Sequence, residues 1–393
     1  TALVAFDDEQ GRHGFAEALR FLDTVAALDD PLVTGVLVPC RIETVREELL
    51  TETAREAAAR GVLVRVHAAG VDPSVWHLMT GRPYFARLDR QIGLRKPAHR
   101  VRGWDAAGVV EAVGARVTSL KPGDEVFGQC DGSFAEYACG KAEQLALKPV
   151  GLTFEQAAAL PVSGVTALQG LDIARPGPGR HVLVIGASGG VGTYAVQLAV
   201  HYGARVTGVC GPTGADLVRS LGADDVIDYT REDITDRPTR YDFVLDTAGN
   251  RPLSRLRRVL TPRGTVVFVG GEDGGPVLGG TDRWLRGLLL SVFVGQTLRP
   301  VIAVTRQQDL LTLTDLVEAG AVTPVIDRTY PLTEAAAAVR HLGTGHPPGK
   351  PGLTLRGCRP PPRQGGAGPR RKPPNPAPRR PARCLADTGG HSR

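Results

Sequence analysis

Clustered cysteines are absent from this chain of 393 residues. Its six cysteines are scattered and no two of them form a C-x-x-C pair, which argues against a zinc ribbon and against a disulfide framework. The longest apolar run in the later part of the chain, Gly287–Gly295, is too short to cross a bilayer. No signal-peptide pattern is recognisable either. These absences predict a cytoplasmic protein with no membrane partner.

Basic residues are unevenly distributed along the chain. The formal net charge is +6, yet residues 356–393 alone contain ten Lys and Arg against one acidic residue. The other 355 residues therefore carry a net charge of −3, so a nucleic-acid-binding face is not expected on them. From Gly357 onward the sequence is rich in Pro, Arg and Gly and poor in large apolar residues, which predicts a disordered basic tail over 357–393.

The most informative stretch is residues 181–210, HVLVIGASGGVGTYAVQLAVHYGARVTGVC. A valine-rich run predicts a buried strand, glycines at 186, 189 and 192 predict a turn, and apolar residues at helical spacing then predict a helix. Arg205–Cys210 is the expected next strand. Where a glycine turn opens a helix, backbone N–H groups point outward beside the positive end of the helix dipole. In this context the pattern predicts a seat for a dinucleotide diphosphate, although the same glycines would also suit an ordinary strand–helix turn.

The end of the second strand bears on the choice of dinucleotide. An acidic residue about 20 positions after the glycines would hold the ribose 2′-hydroxyl of NAD. Residues 210–213 are Cys-Gly-Pro-Thr, and the first carboxylate, Asp216, already lies in the next predicted helix. A 2′-phosphate would meet no repulsion there, so NADPH is the predicted cofactor. Thr213 and Arg219 are the nearest candidate donors to that phosphate.

Segments with different patterns follow one another along the chain. Residues 1–60 contain strand–helix units without a nucleotide loop and are predicted to form an N-terminal appendage of unknown role. Residues 61–160 contain short β-rich runs separated by Gly, Pro and Asp turns, which predict a compact β domain. Residues 161–289 alternate strand and helix, as expected for a doubly wound parallel sheet. The predicted fold class is therefore α/β.

Several motifs in a fixed order carry a family resemblance over about residues 61–350. They are GVLVRVHAAGVDPSVWHLMTG, RGWDAAGVVEAVGARVTSLKPGDEVFG, GSFAEYA, LTFEQAAALPVSGVTAL, VLVIGASGGVGTYAVQLA and LGADDVIDY. In this order they resemble the medium-chain dehydrogenase/reductase superfamily, and most of all its zinc-free quinone oxidoreductases, which include enoyl reductases. The resemblance implies a GroES-like β domain, completed by about residues 290–356, beside a Rossmann doubly wound parallel sheet. The active site would lie in the cleft between the two domains.

The resemblance also implies a site without metal. Zinc-dependent members carry a ligand Cys where this chain has Asp72 and a ligand His where it has Trp104. Loss of a thiolate and an imidazole leaves a donor set that suits a catalytic zinc poorly. The cysteine-rich lobe that holds a structural zinc is also missing, because only residues 129–132 separate Gly128 from Ser133.

Matching positions supply the candidate site residues. Asp72 stands where relatives often carry an Asn near the nicotinamide, and it suits equally well as a cap for the helix beginning near Pro73. Tyr84 is either a proton donor, as in enoyl reductases, or an aromatic at the rim of the cleft. Thr166 matches a Thr beside the nicotinamide, or is a hydroxyl on a helix surface. The cofactor-binding candidates are Gly186, Ser188, Gly189, Val191, Gly192, Thr213, Tyr229 and Gly270, and NADPH-specific relatives carry a Lys at the place of Gly214.

The favoured function is an NADPH-dependent, zinc-independent oxidoreductase that transfers hydride to a quinone or an α,β-unsaturated carbonyl. The alternatives are a catalytically weak NADP(H)-binding protein with an interaction role, and an alcohol dehydrogenase-type activity, which Trp104 opposes. A small-molecule substrate is expected, and a homodimer is compatible with the resemblance. Relatives end in a β-rich run after Gly-Lys, whereas Pro351 follows Lys350 here. Because proline cannot donate to a strand ladder, loss of the last strand of the β domain is expected.

Overall fold

The computed structural model describes residues 61–80, 84, 101–270, 278–344 and 347–355. The predicted appendage of residues 1–60 and the predicted tail of residues 357–393 lie outside the described residues. The described part contains two sheets, one of seven mostly antiparallel strands and one of six parallel strands. The predicted α/β class, with a β domain beside a Rossmann sheet, is confirmed.

The strands are β1 (Gly61–Gly70), β2 (Asp105–Val113), β3 (Glu125–Gln129), β4 (Tyr137–Lys141), β5 (Leu145–Leu147), β6 (His181–Ile185), β7 (Arg205–Cys210), β8 (Asp225–Asp228), β9 (Tyr241–Asp246), β10 (Leu260–Phe268), β11 (Thr297–Pro300), β12 (Ile326–Pro331) and β13 (Lys350–Thr354). The helices are α1 (Pro73–Thr80), α2 (Phe154–Ala158), α3 (Pro161–Asp172), α4 (Gly190–His201), α5 (Ala215–Ser220), α6 (Leu253–Val259), α7 (Thr281–Ser291), α8 (Gln307–Glu318) and α9 (Ala335–Thr344). Within these ranges no helix is both long enough and apolar enough to span a bilayer.

The parallel sheet has the strand order β8-β7-β6-β9-β10-β11, which is the doubly wound order of dinucleotide-binding domains. Its strands are short apolar runs because helices cover both faces of the sheet. The sheet continues past the domain boundary predicted at residue 289, since Thr297–Pro300 pairs in parallel with β10. The Rossmann domain therefore extends to Pro300, and α7 (Thr281–Ser291) belongs to it.

The last strand of the β domain is present, contrary to the expectation drawn from Pro351. β13 pairs with β1 in antiparallel register, with Ala69 opposite Leu353, and in parallel with β12. The strand accommodates Pro351 because only the carbonyl group of this residue is used in pairing, and it accepts the Val71 N–H at 2.9 Å. Proline removes a donor from a ladder but leaves the acceptor in place, so the strand tolerates it at this position.

One apolar core joins the two domains. It contains residues of α3 and α4 from the Rossmann side and residues of β1, β2, β3 and β5 from the β-domain side, including Ala68 and Phe127. The short helix α2 lies at this junction and begins at Thr153 with a complete capping box. The Tyr194 hydroxyl of α4 donates to the Ala159 carbonyl at 3.1 Å. The two sheets are therefore held together where the predicted cleft residues converge.

Candidate functional site

The predicted glycine turn forms at the carboxyl end of β6, near the middle of the parallel sheet. Gly186 has a φ of +79°, which a residue with a Cβ atom rarely adopts. The N–H groups of Gly186 and Ala187 both donate to the Val209 carbonyl of β7 at 2.9 Å. α4 then begins at Gly190, and no side chain of the described residues caps its first turn. The first N–H groups of α4 are therefore not taken by any of these side chains, as an anion site at a helix N-terminus requires.

Two further glycines, Gly189 and Gly192, lie where the turn passes into α4. A Cβ atom on Gly192 would lie 2.1 Å from the Gly186 carbonyl oxygen and 2.7 Å from the Ala187 Cα atom. Gly192 is therefore required for the helix to pack on the turn. A Cβ atom on Gly189 would have its nearest contact at 3.4 Å, so the outer side of the turn is open. A dinucleotide diphosphate fits this cradle, because its oxygens can accept from backbone N–H groups without meeting a side chain.

The turn lies at the point where the strand order of the sheet reverses, between β6 and β9. Thr247 follows β9 directly and donates its hydroxyl to the Ile185 carbonyl at 2.7 Å. Gly270 follows β10, and a Cβ atom on it would lie 2.3 Å from the Thr247 carbonyl oxygen. Three strand ends therefore meet here, and the predicted Gly270 lies close to the predicted glycine turn.

The end of β7 is the region where the sequence predicts discrimination between NADPH and NADH. The Tyr229 hydroxyl lies 3.3 Å from the Cβ position of Gly211, and the Tyr229 residue is 47% exposed. Thr213 is exposed as well. Arg219 forms an ion pair with Asp216 at 2.9 Å, so its charge is already partly engaged. Tyr229 therefore lies beside the end of β7, and Arg219 is paired within α5.

Gly214, where NADPH-specific relatives carry a Lys, and Asp228, which was not weighed from the sequence, lie beside this region. A Cβ atom on Gly214 would lie 2.4 Å from the Ser188 Cβ atom, so a lysine at position 214 would require Ser188 to move. Asp228 ends β8 opposite Cys210. Hydrogen bonds from the Thr230 backbone and hydroxyl lower the pKa of the Asp228 carboxyl. An ionised carboxylate therefore lies in the strand next to the predicted 2′-phosphate region.

Asp72 follows β1 and caps α1. Its Oδ1 atom accepts the Ser74 N–H at 2.9 Å and also the Ser74 hydroxyl, so the capping interpretation of this residue describes what one of its oxygens does. The Oδ2 atom is buried and has no hydrogen-bond partner in the described part of the chain. It lies 3.9 Å from the Lys350 Nζ atom. A second role for Asp72 therefore depends on this second oxygen.

Lys350 and Asp105 form a fully buried ion pair next to Asp72. The Lys350 side chain is 2% exposed and the Asp105 side chain is not exposed at all. The other Asp105 oxygen accepts the Val162 N–H at the start of α3, at 2.9 Å. The pKa of Asp105 is raised to about 6: burial is the main cause and the Asp72 carboxylate adds to it, while the Lys350 ammonium opposes the rise. Two carboxylates thus share one ammonium in a desolvated site.

We expect Asp105 to make folding pH-dependent. Its folded pKa of about 6 lies above the 3.8 of a free aspartate, so its contribution to stability is present in full below about pH 4. That contribution is lost as the pH rises from about 4 through 6, by about 3 kcal/mol. In Asp105→Asn this dependence is absent. Between pH 4 and 7 the free energy of unfolding of the wild type, measured in urea, should therefore fall by about 3 kcal/mol relative to that of the variant, and a pH-independent difference would contradict the assignment.

The other two predicted catalytic residues are Thr166 and Tyr84. Thr166 is buried on α3 and donates its hydroxyl to the Val162 carbonyl one turn earlier, at 2.6 Å, which leaves its lone pairs as acceptors. Tyr84 is 43% exposed, and its neighbours in sequence lie outside the described residues. Trp76 is 52% exposed on α1. Val191 packs against the main core, so its backbone is the part that faces the turn.

Comparisons with known proteins agree with this geometry. Residues 58–150 match the model of the alcohol dehydrogenase GroES-like domain, and residues 221–351 match that of the zinc-binding dehydrogenase family. A 2-methylene-furan-3-one reductase from Solanum lycopersicum is 34% identical over 74% of this chain and 70% of its own length. The chloroplastic NADPH-dependent alkenal/one oxidoreductase of Arabidopsis thaliana is 36% identical with the same coverage. A quinone oxidoreductase structure from Coxiella burnetii superposes with a TM-score of 0.64 at 28% identity, covering 76% of this chain and 91% of its own.

The chain belongs to the medium-chain dehydrogenase/reductase superfamily. Its relatives place it with the quinone oxidoreductase-like enzymes, and a nicotinamide cofactor is the reductant or oxidant of such proteins. Within the superfamily, the two positions that hold catalytic zinc in some members are Asp72 and Trp104 here. Asp72 is engaged with Ser74 and Lys350. Across the residues that the structure describes, no group of three or more His, Cys, Asp or Glu side chains is arranged to hold a metal ion.

Three residues beside the candidate site, Thr247, Asp105 and Lys350, were not predicted from the sequence to lie there. Thr247 could have been suspected because it follows a buried strand in the segment FVLDTAG. Lys350 and Asp105 are 245 positions apart in sequence, and no local pattern connects them. Trp104, which stands where zinc-dependent members carry a ligand His, is buried, and its indole N–H has no hydrogen-bond partner in the described part.

Proposed function

We propose that this protein is an NADPH-dependent oxidoreductase that transfers hydride to a quinone or an α,β-unsaturated carbonyl compound without a metal. The observation that carries the proposal is the glycine turn at the strand reversal, where Gly186, Gly189 and Gly192 lead into a helix N-terminus that no side chain in the described ranges caps. The substrate class is supported by the printed names of the relatives, a furanone reductase and an alkenal/one oxidoreductase.

When bound, the cofactor supplies a hydride from its nicotinamide ring, and the chain positions it. The N–H groups at the start of α4 would hold the diphosphate, while Thr247 and Gly270 lie on the side of the reversal where the nicotinamide half is expected. Asp72, Tyr84 and Thr166 are the proposed catalytic residues. Of these, Thr166 can accept a hydrogen bond but its proton is already donated within α3.

Purified protein should oxidise NADPH in the presence of simple quinones or enones. The test is a panel of quinones, alkenals and primary alcohols, with cofactor absorbance as the readout and elemental analysis of the same preparation. Enone or quinone turnover without stoichiometric zinc supports the proposal. Tight NADPH binding without turnover of any acceptor would favour a catalytically weak binding protein instead. Alcohol oxidation that chelators abolish would favour the zinc-dependent alternative.

We propose NADPH over NADH, with a modest preference. Tyr229 and Thr213 offer hydroxyl groups at the end of β7, but Arg219 is paired with Asp216 and the Asp228 carboxylate lies nearby. Because these contacts are exposed, the preference should not exceed about fivefold in Kd. Isothermal titration with both cofactors measures it, and Arg219→Gln should weaken NADPH while leaving NADH unchanged. Equal or tighter binding of NADH by the wild-type protein would contradict the proposed cofactor.

We propose that the molecule is a homodimer formed through α7 and β11. α7 exposes a row of apolar side chains that ends in Val292 and Phe293, which are 79% and 83% exposed. β11 is the edge of the parallel sheet and pairs only with β10 within the described ranges. An open strand edge beside an apolar face is the combination that a second copy can cover by symmetric pairing.

Leu289→Asp should convert such a dimer to a monomer, because the leucine is exposed in the middle of this face. Light scattering on a sizing column at micromolar concentration gives the mass. Leu311→Asp is the matched control, since Leu311 is also exposed but lies on α8. A wild-type protein that elutes as a monomer, or a control variant that dissociates equally, would contradict the proposed dimer.

The cytoplasmic location predicted from the sequence is also a proposal, because some relatives are named for chloroplasts and mitochondria.

A further inference from the structure

The buried charged cluster of Asp72, Asp105 and Lys350 contains one more acid than base. Each member comes from a different segment: the residue before α1, the start of β2 and the start of β13. All three side chains are almost fully buried. Within the described ranges, Tyr194 of α4 also faces the cluster, and its pKa is raised by burial and by Asp105. With both carboxylates ionised the cluster therefore holds a net negative charge away from water.

This cluster lies directly behind the glycine turn. The Cβ and Cγ atoms of Lys350 are 3.7 and 3.9 Å from the Cβ position of Gly190, the first residue of α4. The Gly349 N–H donates to the Ser188 carbonyl at 2.7 Å, so β13 is attached to the turn itself. The same backbone segment therefore contacts the proposed diphosphate seat and carries the one ammonium that lies beside the two acids.

We propose that binding of the dinucleotide is coupled to the uptake of one proton by the Asp72–Asp105–Lys350 cluster. The diphosphate brings two negative charges to a helix N-terminus that adjoins a desolvated cluster of the same sign. Like charges in a low-dielectric region disfavour joint ionisation. The proton comes from solvent and binds a carboxylate oxygen of Asp105. No other bond changes.

The pKa of Asp105, about 6 without ligand, places this exchange in an accessible range. If the cofactor raises that pKa by about one unit, uptake near pH 6.5 is roughly half a proton for each cofactor bound. Cofactor Kd then falls up to about tenfold from high to low pH. Because reduction of a carbonyl or quinone consumes one proton with each hydride, the cluster would hold a proton near the cofactor before the acceptor is reduced.

The experiment is isothermal titration of NADPH and NADH at pH 6.5 in buffers of different ionisation enthalpy, which yields the number of protons taken up. The 2′-phosphate of NADPH also titrates near pH 6, and NADH removes that contribution. Wild-type protein is expected to take up about half a proton when it binds either cofactor. For NADPH this number excludes the protons bound or released by the 2′-phosphate itself. Asp105→Asn should lose this uptake, because its amide cannot bind the proton.

The outcomes separate this inference from the proposed function on which it rests. Cofactor binding with equal proton uptake in wild type and Asp105→Asn would overturn the coupling and leave the function intact. Absence of any cofactor binding would overturn the function instead. Asp72→Asn is the second variant, needed if Asp105→Asn does not fold. Removing the neighbouring carboxylate should shift the pH of maximal uptake downward, and an unchanged pH profile would also overturn the coupling.

Discussion

Gly192→Ala is expected to abolish productive cofactor binding and to lower stability. A methyl group at this position would lie 2.1 Å from the Gly186 carbonyl oxygen and 2.7 Å from the Ala187 Cα atom. Both neighbours are backbone atoms, which cannot rotate away as a side chain would. The helix must therefore move off the turn, at a cost of about 1–3 kcal/mol typical of overpacking. The displaced N–H groups should raise the NADPH Kd by roughly 10- to 100-fold.

The matched control for this substitution is Gly151→Ala. Gly151 lies in a surface turn where a Cβ atom would meet nothing within 4 Å, and its φ does not fall in the left-handed region. The control should keep the wild-type cofactor Kd and melting temperature. Calorimetric titration and thermal melts measure both quantities. If Gly192→Ala binds NADPH as well as the control does, the glycine turn is not the diphosphate seat.

The glycine turn could be predicted from the sequence because everything that forms it is local. The strand, the three glycines and the helix occupy one continuous run from His181 to His201, and each step follows from residue spacing. The parallel sheet is predictable for the same reason, since the alternation of strands and helices is written along the chain. The domain boundary was set too early because β11 contains Arg299 and Pro300 and does not resemble a buried strand.

The buried cluster could not be predicted from local patterns. Asp105 occurs in a run of small apolar residues, and Lys350 precedes a proline. Only the pairing of β13 with β1, and of β1 with β2, brings the two charges together. The prediction that Pro351 would remove the last strand failed for a related reason. The rule that proline lacks a hydrogen-bond donor does not reveal how Pro351 is bonded. In the fold only its carbonyl group is used, and it accepts the Val71 N–H.

Lys350→Met is expected to destabilise the protein by about 3–5 kcal/mol at neutral pH. Methionine fills a similar volume but removes the cation shared by Asp105 and Asp72. Breaking a buried ion pair leaves a charge without water or partner, which costs more than the pair contributes. Urea unfolding at pH 7 measures the change. Lys121→Met is the matched control, because Lys121 is exposed on a surface turn and its loss should change stability by no more than about 0.5 kcal/mol.

The pH and a second substitution identify the cause of that loss. Without Lys350, the attraction that lowers the pKa of Asp105 disappears, so Asp105 should bind a proton more readily in the folded variant. The destabilisation by Lys350→Met should therefore shrink as the pH is lowered from 7 to 5. Combining Lys350→Met with Asp105→Asn should recover part of the stability, because one of the two stranded carboxylates is gone. A double variant whose losses simply add would mean that Lys350 stabilises the protein through packing at the β13 junction rather than through its charge.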